Sequence, residues 1–231
     1  MKLLAFELAT EACSVALWND GEVAERFEVA PRRHAELALP WAEALLAEAG
    51  IARSQLDAIA VGRGPGAFTG VRLAIAVGQG IALALDRPLV PVSTLAVLAM
   101  RATGPRVLAA IDARMGEVYL GAFERVDGYV RALSDEVLGA PGSVPVPEGE
   151  WHGVGTGFAA GEGALVQRLR GHSTSHLVHV DDTQLPHAAD LACLAAVAFE
   201  QGGAVAADAV EPAYLRNNVA LTLVEQRALR K

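Results

Sequence analysis

The sequence predicts an α/β protein built from two similar lobes, and two observations lead to this fold class. The chain has 231 residues, of which 52% are hydrophobic and 20% charged, so it is long and apolar enough for a sizeable core. A pattern of apolar strand, acidic residue, second strand, Asp-Gly turn and third strand also occurs twice. The acid and the turn lie 13 residues apart in the first copy, Glu7 to Asp20, and 15 apart in the second, Asp112 to Asp127, which indicates a duplicated unit.

The first copy opens with three short strands, and a tight turn at Asn19-Asp20-Gly21 predicts that they form an antiparallel meander. Helices are predicted where apolar residues recur at helical spacing, and further strands where short apolar runs lie between turn residues. The predicted strands are 3–8, 14–18, 22–29, 58–62 and 89–92, and the predicted helices are 34–49, 71–85 and 94–101.

The second copy begins after Gly104-Pro105 and opens in the same way. Its predicted strands are 107–111, 118–123, 129–133 and 151–154, and its predicted helices are 163–170 and 190–200. We therefore expect an N-terminal lobe over residues 1–103, a C-terminal lobe over 104–205 and a tail over 206–231, with a cleft between the lobes.

Charge and cysteine content narrow the classes of protein. A net charge of −8 and a pI near 5.2 argue against a protein that binds a nucleic-acid backbone on its own. Cys13 and Cys193 are far apart and form no metal-binding or disulfide pattern. The first residues do not resemble a secretion signal, because Glu7 and Glu11 interrupt the apolar stretch, and the apolar stretch 73–85 is too short to cross a bilayer. We expect a cytoplasmic protein without a membrane partner.

The segment GRGPGAFTGVR, residues 62–72, is the most distinctive stretch of the chain. Its four glycines and one proline specify an unusual backbone path into a helix, a feature typical of phosphate-binding loops. The P-loop pattern, however, requires Lys and then Ser or Thr after the last glycine, where this chain has Val71 and Arg72. The spacing of the glycines does not match the dinucleotide-binding pattern either. The function of the loop therefore depends on what it contacts.

Glu7 and Asp112 end the first strand of each copy and are the candidate cofactor-binding acids. In a two-lobed phosphotransferase, carboxylates at these places hold Mg²⁺ across the cleft, so a small-molecule kinase or ATPase is an alternative function. The structural interpretation is that each acid bonds to its following turn, as Asp112 would with the amide of Arg114 or Met115. The longer side chain of Glu7 weakens the catalytic interpretation.

No pattern in the sequence predicts a metal site or a hydrolytic nucleophile. A helical metal-binding pair with His34 would need a second histidine at position 38, which is Ala38. Three histidines between residues 172 and 179 lie in a Ser/Thr-rich segment, for which we expect a solvated loop. Ser14 and Ser93 lack the glycine-flanked turn of a nucleophile, so a peptidase stays an alternative without a sequence signature.

The helix after the glycine loop carries a small residue at every fourth position, at Ala74, Gly78 and Ala82. Small residues let another element pack closely, so this face either lies inside the protein or meets a helix of another subunit. In the second case the apolar bulk of the interface comes from nearby side chains, namely Leu37, Trp41, Leu45 and Phe68.

Five segments together resemble the TsaB (YeaZ) family of bacterial tRNA threonylcarbamoyladenosine biosynthesis proteins. They are the loop GRGPGAFTGVR, the first strands ELATEACSVAL, the helix start RRHAELALP, the turn AIDARMGEVY and the tail segment PAYLR. The resemblance covers nearly the whole chain. It implies a two-lobed, duplicated actin-like (ribonuclease H-like) fold in which each lobe opens with a three-stranded antiparallel meander.

The resemblance also implies a function without independent catalysis. Family members pair with a related catalytic subunit, TsaD, and with the ATPase TsaE, and the complex transfers a threonylcarbamoyl group from its adenylate to the adenosine beside the tRNA anticodon. The chain is then a required scaffold with no cofactor of its own. The complex uses ATP and a metal held by the partner, and tRNA binds only through the complex. Whether the chain alone forms a homodimer stays open.

The resemblance places the pairing surface on the first lobe. The residues carried over to this chain are His34, Leu37, Trp41, Leu45, Gly64, Pro65, Gly66, Phe68, Thr69, Gly70, Arg72, Ala74, Gly78 and Ala82. One departure is Glu7, where many relatives have Asp, and this difference argues against nucleotide binding by the chain.

Overall fold

The computed structural model of the protein describes residues 1–216, which form two β-sheets with helices packed on them. The first sheet contains β1 (Lys2–Glu7), β2 (Ala12–Asn19), β3 (Glu22–Val29), β4 (Ala58–Gly62) and β5 (Leu89–Val92). The strand order is β3-β2-β1-β4-β5. The first three strands are antiparallel neighbours, whereas β4 runs parallel to β1 and β5 parallel to β4. The buried, continuously apolar β4 is typical of a strand covered on both faces.

The second sheet repeats this arrangement. It contains β6 (Arg106–Arg114), β7 (Glu117–Val126), β8 (Tyr129–Ala132), β9 (Val137–Gly139), β10 (Gly149–Val154) and β11 (Ser175–Asp181). The order is β11-β10-β6-β7-β8, and the short β9 pairs with β7. Again three antiparallel strands precede two parallel ones, so β6 corresponds to β1 and β10 to β4. The chain therefore has two lobes of the same topology.

Helices cover both sheets. They are α1 (His34–Glu48), α2 (Phe68–Leu85), α3 (Thr94–Ala99), α4 (Ala160–Arg170) and α5 (Ala188–Glu200). α1 and α2 share one apolar core with the first sheet, and α5 shares a second core on its other face. α4 and α3 contribute to two separate cores of the second sheet.

The predicted end of the C-terminal lobe at residue 205 was wrong, because α5 packs on the first sheet. Leu191 of α5 lies in one core cluster with Ala5 of β1 and Ala60 of β4, so small side chains on the sheet allow the helix to approach. Val205 then pairs with Leu89 of β5. Residues 188–205 thus belong to the first lobe. Of the predicted tail, residues 217–231 lie outside the described residues.

The helix α3 makes the opposite exchange. It was predicted within the N-terminal lobe, but Leu95 and Leu98 lie in a core cluster with Val107 of β6 and Val154 of β10. Ser93 caps the helix by accepting a hydrogen bond from the amide of Ala96 at 3.1 Å. Each lobe is therefore completed by a helix from the other half of the sequence.

The helix α2 is longer than the sequence predicted, because it begins at Phe68 instead of residue 71. Among residues 1–216 it alone is long and apolar enough to cross a membrane, by length and composition only. The core helices of many proteins share this property, and one face of α2 packs against the first sheet. The expected cytoplasmic location stays a prediction.

Candidate functional site

The glycine loop packs against the chain's own backbone at the end of β1. A Cβ on Gly66 would overlap the carbonyl oxygen of Ala9, and one on Gly70 would overlap that of Leu8, so only glycine allows this close approach. The amide of Ala67 donates a hydrogen bond to the Ala9 oxygen at 2.7 Å. The glycines are therefore explained by the docking of α2 onto the first sheet.

The first turn of α2 presents a cluster of aromatic and cationic side chains. Phe68 is 65% exposed, and the guanidinium of Arg72 lies 3.3 Å from the centroid of the Phe68 ring. Tyr214 approaches the same guanidinium, with its ring centroid at 5.0 Å and its hydroxyl accepting a hydrogen bond from Arg72 at 2.5 Å. These contacts hold the long Arg72 side chain in one orientation beside the exposed ring.

The inner face of α2 carries the small residues that the sequence singled out. Ala74, Gly78 and Ala82 are all buried against the first sheet. A Cβ on Gly78 would overlap the side chain of Val61, which explains how closely the helix lies over β4. The structure thus decides for internal packing, and the prediction that these three residues form a partner interface was wrong.

The outer face of α2 is uncovered within the described part of the chain. Thr69, Leu73, Ala76, Gly80 and Leu83 follow at intervals of four and three residues, so they form one row on the helix surface. Leu73 is half-buried and the others are exposed, Leu83 to 67%. The row contains no charged side chain, and none of the described residues would come within 4 Å of a Cβ at Gly80. We refer to this row as the α2 seam.

The fourteen residues predicted for the partner interface differ in exposure. Two are exposed, namely Phe68 and Thr69. Five are half-buried, namely His34, Leu37, Trp41, Gly66 and Arg72. The other seven are buried within the chain, which corrects the prediction for Leu45, Gly64, Pro65, Gly70, Ala74, Gly78 and Ala82.

The helix α1 contributes less to the surface than the sequence predicted. Leu45 is 2% exposed, and Leu37 and Trp41 pack against the same core. The Nε2 atom of His34 lies 3.0 Å from the carbonyl oxygen of Thr10 and 3.1 Å from that of Ala12. His34 therefore ties the start of α1 to the loop after β1.

A cleft of about 870 Å³ lies between the lobes. The loop after β1, the start of α1 and the glycine loop form one wall, and the β6–β7 turn, residues 112–115, forms another. Residues 212–216 also line the cleft. The volume suits a small molecule, so the candidate acids decide whether the cleft is built for a metal-bound nucleotide.

Glu7 is buried at the end of β1, beside Thr94 of α3, and does not line this cleft. Its carboxyl group accepts hydrogen bonds from the amide of Ala9 at 2.9 Å and the hydroxyl of Thr94 at 3.1 Å. Burial raises the pKa of Glu7 to about 7, and these hydrogen bonds offset only part of the effect. A carboxyl group enclosed in this way cannot reach a metal ion in the cleft.

Asp112 does line the cleft, but its carboxylate is already engaged. It accepts a hydrogen bond from the amide of Arg114 at 2.7 Å and pairs with the guanidinium of the same residue at 3.0 Å. This is the structural interpretation that the sequence left open. Glu7 and Asp112 each accept the amide two residues further on, so they correspond as turn-closing acids of the two lobes.

A partly buried polar cluster, which the sequence did not reveal, anchors α5 to the first sheet. The hydroxyl of Ser14 donates to Glu25 at 2.7 Å, and Nδ1 of His187 lies 2.9 Å from the other carboxylate oxygen. The amides of Ala188 and Ala189 donate to Ser14 and Glu25. Ser14 is fully buried and bonds the carboxylate instead of the imidazole, so the cluster caps a helix and is not arranged as a hydrolytic triad.

The three histidines between residues 172 and 179 are exposed. His176 and His179 lie on β11, so a strand replaces the loop predicted for them, and His172 precedes it. Within residues 1–216, no group of three or more His, Cys, Asp or Glu side chains is placed to hold a metal ion.

Comparison with known proteins agrees with the duplicated fold. A family model described as TsaD, tRNA N6-adenosine threonylcarbamoyltransferase, matches residues 27–223. The tRNA threonylcarbamoyladenosine biosynthesis protein TsaB of Escherichia coli is 42% identical over 229 residues, which are 95% of this chain and 96% of that protein. The chain belongs to the TsaB (YeaZ) family. The family resemblance of the five sequence segments is thereby confirmed.

The solved structure of YeaZ from Pseudomonas aeruginosa is 47% identical to the chain, with a TM-score of 0.84. The match covers 93% of this chain and 99% of that one, so the actin-like α/β fold of the family is shown for both lobes. A tRNA N6-adenosine threonylcarbamoyltransferase of Novosphingobium aromaticivorans is 46% identical over 68 residues, which are 29% of this chain and 19% of that protein. The TsaB family is therefore related to the transferase as well.

Two features of the surface were missed from the sequence. The α2 seam could have been found from the sequence, because its residues recur at intervals of four and three along a helix that begins at Phe68. The contact of Tyr214 with Arg72 joins residues 142 positions apart, and no local pattern predicts such a contact.

Proposed function

We propose that the chain is a non-catalytic subunit that pairs with the transferase TsaD through the α2 seam and so activates threonylcarbamoyl transfer to tRNA. The observation that carries this proposal is the seam itself. Uncharged small and apolar side chains at helix-pairing intervals are exposed on a helix whose other face is buried. An exposed row of this kind is typical of a protein interface.

The family comparison indicates the kind of partner. The family model that matches this chain is described as the transferase TsaD. We therefore expect the transferase to contain a lobe of the same topology, with a helix equivalent to α2. Two related folds that meet through equivalent helices form a pseudo-twofold dimer. In that dimer Ala76 and Gly80 allow the helices to approach closely, while Leu73 and Leu83 supply apolar area.

The acids of this chain support a role without catalysis. The carboxyl group of Glu7 is enclosed and that of Asp112 closes a turn, so we assign the metal and the reacting groups to TsaD. The net charge of −8 fits a subunit that reaches tRNA only as part of a complex. The ATPase TsaE completes the proposed assembly, and the threonylcarbamoyl group comes from its adenylate.

A reconstituted modification reaction tests this function. TsaD, TsaE, tRNA and ATP are combined with and without the chain, and threonylcarbamoyladenosine is measured by mass spectrometry of the digested tRNA. We expect product only when the chain is present, and undiminished product with Asp112→Asn. Full product without the chain, or ATP hydrolysis by the chain alone that Asp112→Asn abolishes, would contradict the proposal.

A further inference from the structure

Residues 210–216, here named the C-terminal strap, begin on the first lobe. The side chain of Val210 is 6% exposed and belongs to the core under α1 and α2. Its carbonyl oxygen accepts a hydrogen bond from Gln79 of α2 at 3.4 Å. The amide of Ala213 donates to the carbonyl oxygen of Arg63 in the glycine loop at 2.8 Å. The strap is thus attached beside the loop that starts α2.

The strap ends on the second lobe. The guanidinium of Arg216 pairs with Glu117 of β7 at 2.6 Å and donates to the carbonyl oxygen of Ala113 of β6 at 3.1 Å. It also lies 3.1 Å from the sulfur of Met115 in the turn between these strands. The side chains of Arg216 and Glu117 are 20% and 36% exposed, so solvent screens this pair only in part.

Between these two attachments, the strap contacts Arg72, which lies beside the first residue of the α2 seam. Tyr214 binds Arg72 through its hydroxyl, and Arg72 in turn lies over the exposed ring of Phe68. The strap also forms part of the wall of the interlobe cleft. One short segment therefore contacts the first lobe, the second lobe and the Arg72–Phe68 cluster beside the proposed partner surface.

We propose that closure of the strap and docking of the partner stabilise each other. While Arg216 holds the second lobe, Tyr214 is kept where it positions Arg72 and Phe68 beside the seam. A partner that contacts this cluster favours the closed strap, and by linkage the closed strap favours the partner. The partner's identity rests on the proposed function, whereas closure of the strap does not.

Hydrogen exchange of the chain alone tests closure. Arg216→Met removes the guanidinium but keeps a long apolar side chain, and Arg131→Met is a matched control whose ion pair with Glu124 stays within the second lobe. We expect exchange in peptides covering 210–216 and 112–117 to be about tenfold faster in Arg216→Met. The control should leave those rates unchanged. Equal rates in wild type and Arg216→Met would overturn the proposal, whatever the partner does.

Affinity for TsaD tests the coupling. Arg216 lies off the α2 seam, so weaker binding by Arg216→Met, by about three- to tenfold, would reflect the strap. Arg216→Lys, which keeps a cation for Glu117, should recover part of the affinity, and bound TsaD should slow exchange in the strap. Unchanged affinity together with fast exchange would overturn the coupling. Failure of wild-type protein to bind TsaD at all would instead contradict the proposed function, and thermal unfolding confirms that each variant is folded.

Discussion

Wild-type protein should lose stability as the pH rises because Glu7 becomes ionised in a buried site, and the Glu7→Gln variant should not show this loss. Glu7 is 1% exposed, and burial raises its pKa from 4.5 to about 7 against hydrogen bonds from Ala9 and Thr94. The folded state therefore binds this proton more tightly than the unfolded chain. The resulting stabilisation is complete below pH 4.5 and is lost as the pH rises through 7. Each pKa unit corresponds to about 1.4 kcal/mol, so the full loss is about 3 kcal/mol.

The amide of the Glu7→Gln variant keeps the shape of the carboxyl group but does not ionise. Its oxygen can accept from Ala9 and its nitrogen can donate to Thr94. Urea unfolding of both proteins, at constant ionic strength, measures the free energy of unfolding from pH 5.5 to 8.5. As the pH rises from 5.5 to 8.5, we expect the free energy of unfolding of wild type to fall by about 2 kcal/mol relative to that of the variant.

The control for this experiment is Glu36→Gln, because the Glu36 side chain is 72% exposed and paired only at the surface. It should show no comparable trend with pH. A free-energy difference between Glu7→Gln and wild type that stays constant with pH would refute the reasoning. It would mean that Glu7 is not a buried, protonated acid.

Other substitutions test the packing of α2 and α5 on the first sheet. Gly70→Ala places a Cβ against the carbonyl oxygen of Leu8, so it should lower the free energy of unfolding, measured with denaturant, by about 1–3 kcal/mol. Gly80→Ala lies in open space on the same helix and should raise the free energy of unfolding by up to about 1 kcal/mol. Burial raises the pKa of Glu25, but hydrogen bonds from His187, Ser14 and the amide of Ala189 outweigh burial, so the net pKa is lowered. Glu25→Gln should therefore lower the free energy of unfolding by about 1–3 kcal/mol at pH 7. That cost should shrink in acid, as the wild-type carboxylate becomes protonated.

Local sequence patterns predicted much of the fold. Strands 58–62 and 89–92 coincide with β4 and β5, because each is a short apolar run between turn residues. The duplication was visible because each copy places an acid near the end of its first strand, and each acid accepts a hydrogen bond from the amide two residues further on. The family resemblance rested on five segments, and the structure explains the glycines of one of them, the glycine loop, by its close packing against the backbone after β1.

The faces of helices were harder to predict, because they depend on contacts between distant residues. Both faces of α2 carry small residues, and only the position of Val61 on β4 determines that Gly78 lies inside while Gly80 lies outside. The exchange of α3 and α5 between lobes likewise depends on matching surfaces of the two sheets. Composition alone contains no information about these pairings.

The central claim is that the outer face of α2 binds the transferase, and light scattering of the chain mixed with TsaD tests it most directly. Wild type should give the summed mass of one chain and one TsaD. Ala76→Arg should leave the two proteins separate, because it puts a bulky charge into the α2 seam, while Ala132→Arg, an exposed position on the second lobe, should still pair. A complex that forms equally well with Ala76→Arg would contradict the claim.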